Sequence, residues 1–278
     1  MINALDLNVF SHYLTPRSRE SNKGDFGKIL IIGGDLGFSG AVRLAGEAAL
    51  RVGAGCVSIA THPHNAPTLN VSRPELMCHG ILSADELKKL FIPATVVVIG
   101  PGLGKNSWGK SLLEFVLAEN DKPLLLDADA LNYLATHSPA PKKKNWVLTP
   151  HPGEAARLLK ITTEEVQKNR LHSVQQLHEI FGGTIVLKGS GSLVMSDETG
   201  VEICLAGNPG MATAGMGDVL SGVIGGLIAQ GIPLVDAARL GVLIHAMAGD
   251  LAAAQGERGM IASDLMPYLR KLVNANSG

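Results

Sequence analysis

Six short apolar runs recur along this chain, and they constrain its fold more than any other feature. They are KILII (28–32), Cys56 to Ala60, TVVVI (95–99), Lys122 to Leu126, Trp146 to Thr149 and TIVL (184–187). Each is too brief for a helix and apolar without alternation, the pattern of strands buried on both faces of a parallel sheet. After KILII comes the loop Gly33 to Gly40, and then Val42, Leu44, Ala45, Ala48, Ala49 and Val52 follow at the spacing of one helical face. Strand, glycine loop, helix and strand make a βαβ unit. The expected fold is therefore α/β with a mostly parallel central sheet. With 278 residues and no repeat, low-complexity tract or linker, a single domain over 1–278 is expected, preceded at 1–24 by a surface arm or helix.

In an open parallel sheet the carboxyl ends of the strands share one edge, where ligands collect. Here those ends are loaded. KILII runs into Gly33-Gly34, TVVVI into Gly100-Pro101-Gly102-Leu103-Gly104, and the Lys122 run into Asp127-Ala128-Asp129. The Trp146 run meets Pro150-His151-Pro152-Gly153-Glu154, and TIVL meets Lys188-Gly189-Ser190-Gly191-Ser192. Ser39-Gly40-Ala41 opens a helix at the same edge. Neither the dinucleotide G-x-G-x-x-G spacing nor a Walker loop occurs. Taken singly, each loop reads equally as structure: Asp127 and Asp129 hold a water-bound metal or cap a helix, Glu154 complements a helix dipole, and Lys188 to Ser192 enter a hairpin or cradle a nucleotide.

The stretch Asn208 to Gly231, NPGMATAGMGDVLSGVIGGLIAQG, adds a glycine-rich turn at Gly215-Met216-Gly217-Asp218, then apolar residues at helical spacing. A helix start with unpaired N–H groups binds anions, phosphate above all. Asp218 beside it suits proton removal from a hydroxyl. Turn-making glycines and a capping Asp account for the spacing just as well. Collected on one edge, however, an anion-binding helix start, a Lys-Gly-Ser loop, several carboxylates and His151 suit phosphoryl transfer.

Composition removes other classes. A net charge of -1 provides no basic field for nucleic acid. Three scattered cysteines form no metal pair or disulfide framework, which fits a reducing cytoplasm. The polar N-terminus lacks a secretory apolar region. The uncharged run Val219 to Val235 is broken by Ser221, Gln230, Pro233 and glycines, so a buried helix and turn, not a membrane span, are expected. The segment Thr163 to Ile180 reads as one polar helix in which His172 and His178 are solvated. His245, beside the apolar face of a helix beginning at Pro233, reads as a satisfied core histidine. Residues Ile261 to Leu272 read as a terminal helix restarted at Pro267.

The motifs GDFGKILIIGG, VVIGPGLG, LLLDADALN, LTPHPGEAARLL, VLKGSGS and NPGMATAGMGDVLSGVIGGL resemble, in order, those of the bacterial ADP-dependent NAD(P)H-hydrate dehydratases of the ribokinase-like superfamily. The resemblance spans about residues 14 to 275. It implies a three-layer α/β/α fold and the repair of hydrated NADH or NADPH, in its S form, with ADP as phosphoryl donor and AMP and phosphate as products. It implies Asp218 as the base, with Gly215 and Gly217 in the anion hole. It further implies Lys188, Gly189, Ser190, Gly191, Ser192 and Gly217 at the ADP/AMP site, and Ala41, Gly104, His151 and Asp218 at the hydrated dinucleotide. Mg²⁺ is expected to arrive with ADP. Where many superfamily members have N-x-x-E, this chain has His151-Pro152-Gly153-Glu154, so Glu154 is expected to meet the metal only through water. The resemblance also implies a homotetramer, and an epimerase activity supplied by a separate protein. Two rival readings remain: a ribokinase-like kinase for a small alcohol such as hydroxyethylthiazole, and a non-catalytic nucleotide sensor.

Overall fold

The computed structural model describes residues 2–119, 121–137 and 142–274. Ten strands are present among them: β1 Asn3–Ala4, β2 Lys28–Ile32, β3 Cys56–Thr61, β4 Met77–Gly80, β5 Val96–Ile99, β6 Leu124–Leu126, β7 Trp146–Leu148, β8 Thr184–Leu187, β9 Leu193–Ser196 and β10 Gly200–Ile203. They form one sheet in the order β1-β10-β9-β8-β7-β6-β5-β2-β3-β4. Only β9 runs against the rest, pairing antiparallel with both β8 and β10. All six apolar runs are strands of this sheet, with ends within two residues of those expected.

Strand alternation divides the interior into two cores. On β2, Ile29 and Ile31 point to one side and Leu30 and Ile32 to the other; on β5, Val96 and Val98 oppose Val97 and Ile99. The first side is covered by helices Ser39–Arg51, Met216–Ala229, Leu234–Ala253 and Met266–Leu272. The second is covered by Ala84–Phe91, Ser107–Ala118, Asp129–Thr136, Pro152–Leu159 and Arg170–Phe181. The sheet is thus the middle of three layers, as expected.

After β2 the chain adds β3 and β4 on one flank, then returns to place β5 on the other. Strand order therefore reverses between β2 and β5, which opens a crevice at their carboxyl ends. The Met216–Ala229 helix lies over this region and packs very closely on Ser39–Arg51. A Cβ on Gly222 would fall 2.0 Å from the Ala45 carbonyl oxygen, and one on Gly226 would fall 2.9 Å from Ala49 Cα. On the sheet side, a Cβ on Gly225 would meet Val98 Cγ2 at 2.6 Å and Ile29 Cδ1 at 2.7 Å.

One expectation is refined and two need correction. The N-terminal segment, expected as a surface arm or helix, holds the 3₁₀ helix Leu7–Tyr13 and is largely exposed, but it is also tied to the fold: β1 pairs parallel with β10, Phe10 is buried, and the Arg239 guanidinium lies 4.9 Å over its ring. Its few anchoring apolar residues were outnumbered in the sequence by wet ones. The segment 163–180 is two helices, Thr163–Lys168 and Arg170–Phe181, divided at Asn169, whose side chain caps the second. Within the second, His178 is buried, with Nε2 2.8 Å from Asp197 Oδ1, because a distant hairpin covers it. The terminal segment does restart near Pro267, as a short 3₁₀ turn, Ala262–Leu265, leading into Met266–Leu272.

Candidate active site

The helix start that follows the glycine turn is built by its backbone. Gly215 sits at φ 90°, a conformation that side chains disfavour, and a Cβ there would press to 2.6 Å from Leu44 Cδ1. The Met216–Ala229 helix begins at once, so Asp218 lies in its first turn, among the unpaired N–H groups. A Cβ on Gly217 would stand 3.3 Å from Lys188 Nζ, which places the ammonium at the helix mouth.

Lys188 follows β8 and gathers carboxylates from beyond two other strands, Asp127 after β6 and Glu154 after β7, and from the helix, Asp218. Its Nζ donates to Asp127 Oδ1 at 2.7 Å and lies 3.8 Å from Glu154 Oε2. Asp127 and Glu154 are 1% and 4% exposed, so these charges meet where water screens them little. Ser221 Oγ, one helical turn beyond Asp218, donates to Asp127 Oδ2 at 2.8 Å and holds that carboxylate toward the lysine. Burial opposes the Lys188 charge, but Asp127 and Glu154 outweigh it and the ammonium is held above its ordinary value. Burial raises Glu154, with Lys188 working against it. Asp218 is pushed up to about 7 by burial first and by the Asp127 charge next, with Lys188 opposing. A carboxyl poised there exchanges a proton readily near neutral pH.

On one side of Asp218 lies a cavity of about 490 Å³, lined by Lys188 to Ser192, Gly207, Asn208, Met211, Met216, Gly217, Leu220, Val242 and His245. Its loop is held by Arg170, whose Nη2 donates to the Leu187 and Gly191 carbonyls at 3.1 Å and whose Nη1 donates to Lys188 O at 3.3 Å. Ser192 Oγ closes the turn by donating to Gly189 O at 3.0 Å. Asp250 fixes the opposite wall, accepting from Gly207 N and Asn208 Nδ2 at 2.9 Å each.

On the other side is the crevice between β2 and β5. Gly104, at φ 76°, donates its N–H to Asp129 Oδ2 at 2.9 Å, and a Cβ on it would meet Asp35 Oδ2 at 2.5 Å. Ala41 faces the same loop, since a Cβ on Gly102 would fall 3.2 Å from the Ala41 Cβ. Asp129 also raises Asp218, so this wall is within electrostatic reach of it. His151 caps the Pro152–Leu159 helix: Nδ1 accepts from Gly153 N at 3.0 Å, and His151 N donates to Glu154 Oε2 at 2.8 Å. Half of its side chain stays exposed at the edge.

The residues expected to form the site thus lie just beyond the carboxyl ends of the parallel strands or at helix starts beside them, whereas His178 lies elsewhere, against the turn between β9 and β10. Arg170 and Ser221 escaped that reading, because an arginine in a polar helix and a serine in an apolar one carry no local signal of a contact with another strand. Asp127 was visible there, but not its pairing with Lys188. Among the described residues, no group of three or more His, Cys, Asp or Glu is arranged to hold a metal ion. Nor, among them, is any helix long and apolar enough to cross a membrane.

Comparison with known proteins agrees with this geometry. The family model for NAD(P)H-hydrate dehydratase matches residues 29–271. The bifunctional NAD(P)H-hydrate repair enzyme Nnr of Coxiella burnetii is 56% identical over 262 residues, covering 94% of this chain and 53% of that one. The chain spans about half the length of such bifunctional relatives. The ADP-dependent (S)-NAD(P)H-hydrate dehydratase of Neisseria meningitidis is 41% identical, with 95% of this chain and 91% of that one covered. Among solved structures, the ADP/ATP-dependent NAD(P)H-hydrate dehydratase of Bacillus subtilis, co-crystallised with ATP/Mg²⁺, superposes with a TM-score of 0.87 at 27% identity, covering 98% of this chain and 97% of that one. The layered sheet, the glycine-built helix start and these matches over nearly the whole length agree: the chain belongs to the NAD(P)H-hydrate dehydratase family, with its ribokinase-like fold.

Proposed function

We propose that the protein dehydrates the S form of hydrated NADH and NADPH at the expense of ADP, and that the chain acts as one domain. The observation that carries this reading is the position of Asp218. It stands in the first turn of a helix, raised to about 7, between the cavity beside Lys188 and the crevice beside Gly104. ADP occupies the cavity, with Lys188, Gly189, Ser190, Gly191, Ser192 and Gly217 around its phosphates and sugar. The hydrated nicotinamide enters the crevice past Ala41, Gly104 and His151.

Asp218 takes the proton of the ring hydroxyl as that oxygen attacks the β-phosphorus of ADP. The bond from phosphorus to the α–β bridging oxygen breaks and AMP leaves. N–H groups from Gly215 to Asp218, with the Lys188 ammonium, face the charge that develops on the phosphoryl oxygens. Hydroxide is a poor leaving group and phosphate a good one. The ring nitrogen's lone pair therefore expels phosphate with the C–O electron pair, the neighbouring ring carbon loses a proton, and the double bond returns. A Mg²⁺ ion carried in on the nucleotide would neutralise phosphate charge. Glu154 does not suit direct ligation, since its carboxylate already accepts from His151 N and faces Lys188, so it would meet the ion through water.

The names of the relatives support ADP as donor and the S hydrate as substrate. A phosphomonoester-forming kinase would leave a stable product instead. The reading includes a cytoplasmic location, a homotetramer and an epimerase activity working with this one. One assay decides it: purified protein is given hydrated NADH with ADP or ATP. Recovery of reduced-nicotinamide absorbance with release of AMP supports the reading, and a stable phosphorylated product or no turnover sinks it.

A further inference from the structure

Beyond Gly104 and Asp129 the crevice continues into a second cavity, of about 310 Å³, between the Ser107–Ala118 and Asp129–Thr136 helices. Its mouth is shared with the crevice. Gly104, Asp129 and Arg157 line it there, and a Cβ on Gly153 would fall 2.9 Å from His151 Cε1 and 3.8 Å from Arg157 Nη1, so the His151 ring and this guanidinium flank one point. From the mouth, Asp129, Asn132, Tyr133 and Thr136 follow at i, i+3, i+4 and i+7 along one helical face. At 1.5 Å per residue they carry the cavity roughly 10 Å from the crevice.

The lining changes in character along that length. Among the described residues, three cations, Lys105, Lys110 and Arg157, face one carboxylate, Asp129. Asp129 is already engaged, accepting from Gly104 N at 2.9 Å and Asn132 Nδ2 at 3.2 Å. Arg157 uses only Nε on Asn132 Oδ1, at 2.7 Å, which orients the guanidinium and leaves its other donors. Lys110 has Glu114 at 3.8 Å on an exposed face, where such a pair holds weakly. The excess of positive charge equals the negative charge of a pyrophosphate bridge. Farther along, Leu113 and the Tyr133 ring make the wall apolar. That ring is fixed: it stacks on His137, with 3.7 Å between centroids and 12° between planes, and its hydroxyl donates to Glu114 Oε1 at 2.8 Å. An aromatic ring held beside cations offers a nucleobase a face on which to stack and its phosphates a counter-charge.

We propose that this cavity holds the adenosine half of the hydrated dinucleotide, with the pyrophosphate against Lys105, Lys110 and Arg157 and the adenine against Tyr133. This rests on the reading of the crevice as the site of the hydrated nicotinamide. The reacting ring then lies between Asp218 and Gly104, and the rest of the substrate passes outward between the two helices. Contacts so far from the breaking C–O bond act by placing the ring, and a substrate shortened at the remote end loses them.

The test compares hydrated NADH with hydrated reduced nicotinamide mononucleotide, which keeps the reacting ring and one phosphate but lacks the AMP half. For each, kcat/KM is measured at saturating ADP in the parent, Tyr133→Leu and Lys110→Ala. The parent is expected to favour hydrated NADH by about a hundredfold. Each variant is expected to lose about tenfold on hydrated NADH and to stay within about twofold of the parent on the mononucleotide, which also shows that it is folded. Equal kcat/KM for the two substrates in the parent, or variants that lose equally on both, overturn the subsite and leave the dehydratase reading standing. Should the parent dehydrate neither substrate, that reading falls and this inference falls with it.

Discussion

Two groups of glycines lie within one stretch of sequence and do opposite work. Gly215 and Gly217 stand at the start of the Met216–Ala229 helix. There the first supplies a left-handed backbone turn, and the second leaves open space before Lys188. Gly222, Gly225 and Gly226 lie inside the helix, where the missing side chains let one helix and the sheet approach until no methyl would fit. The first group makes a vacancy for a ligand, and the second removes a vacancy between helices. Glycine in a helix interior ordinarily costs about 0.5–1 kcal/mol relative to alanine. The body of this helix accepts that cost three times over, because its packing offsets it.

The comparison is broken or sharpened by variants along the same helix. The largest effect is expected at the mouth: Asp218→Asn should fold, bind ADP, and lose turnover by about a hundredfold or more, near 2.7 kcal/mol of barrier. Near-normal kcat would remove Asp218 from the chemistry. Next is Gly222→Ala, whose methyl meets the Ala45 carbonyl, a backbone atom that cannot step aside. About 2–3 kcal/mol of stability should be lost, read as a lower urea midpoint. Gly217→Ala is the counterpart. Its methyl meets the tip of the Lys188 side chain at 3.3 Å and Asp127 Oδ2 at 3.9 Å, with no backbone atom in the way, so stability should hold or rise slightly while ADP affinity drops about tenfold. Equal stability losses in the two alanine variants would erase the distinction between mouth and body.

The smallest expected effect is one of pH on the mouth alone. Because Asp218 is raised to about 7 and must be ionised to act, kcat/KM should fall about tenfold per unit as pH drops below about 7. The sign for stability is opposite. A carboxyl with a folded pKa above its ordinary value of 3.8 costs nothing in acid and destabilises progressively as pH rises through about 7. Asp218→Asn should therefore melt a few degrees above the parent at pH 8. The two should converge near pH 4, and an equal gap at both values would contradict a buried, raised carboxyl.

Much of the site was legible because its parts are consecutive residues. VLKGSGS, TPHPGE and GMGD each carry their loop and its chemistry together, so strand ends and glycines suffice to gather them on one edge. Contacts between distant segments were not legible. Ser221 reaches Asp127, and Arg170 reaches three carbonyls of the Lys188 loop, across sheet positions that no local pattern encodes. Strand β4 and the docking of Phe10 were missed for the same reason, being decided by neighbours.

The sequence alone determined the alternation of buried strands and helices, and hence a parallel sheet with its loops on a common edge, because apolar periodicity and backbone freedom are local properties. Only the tertiary structure decided which charges share the buried space around Lys188, why Asp218 stands near neutrality, and that Lys105, Lys110 and Arg157 line one cavity. It also left His245, read as a satisfied core residue, with its Nε2 buried and unpartnered among the described residues. Those depend on desolvation and on distances between residues far apart in the chain, and neither quantity exists until the layers close.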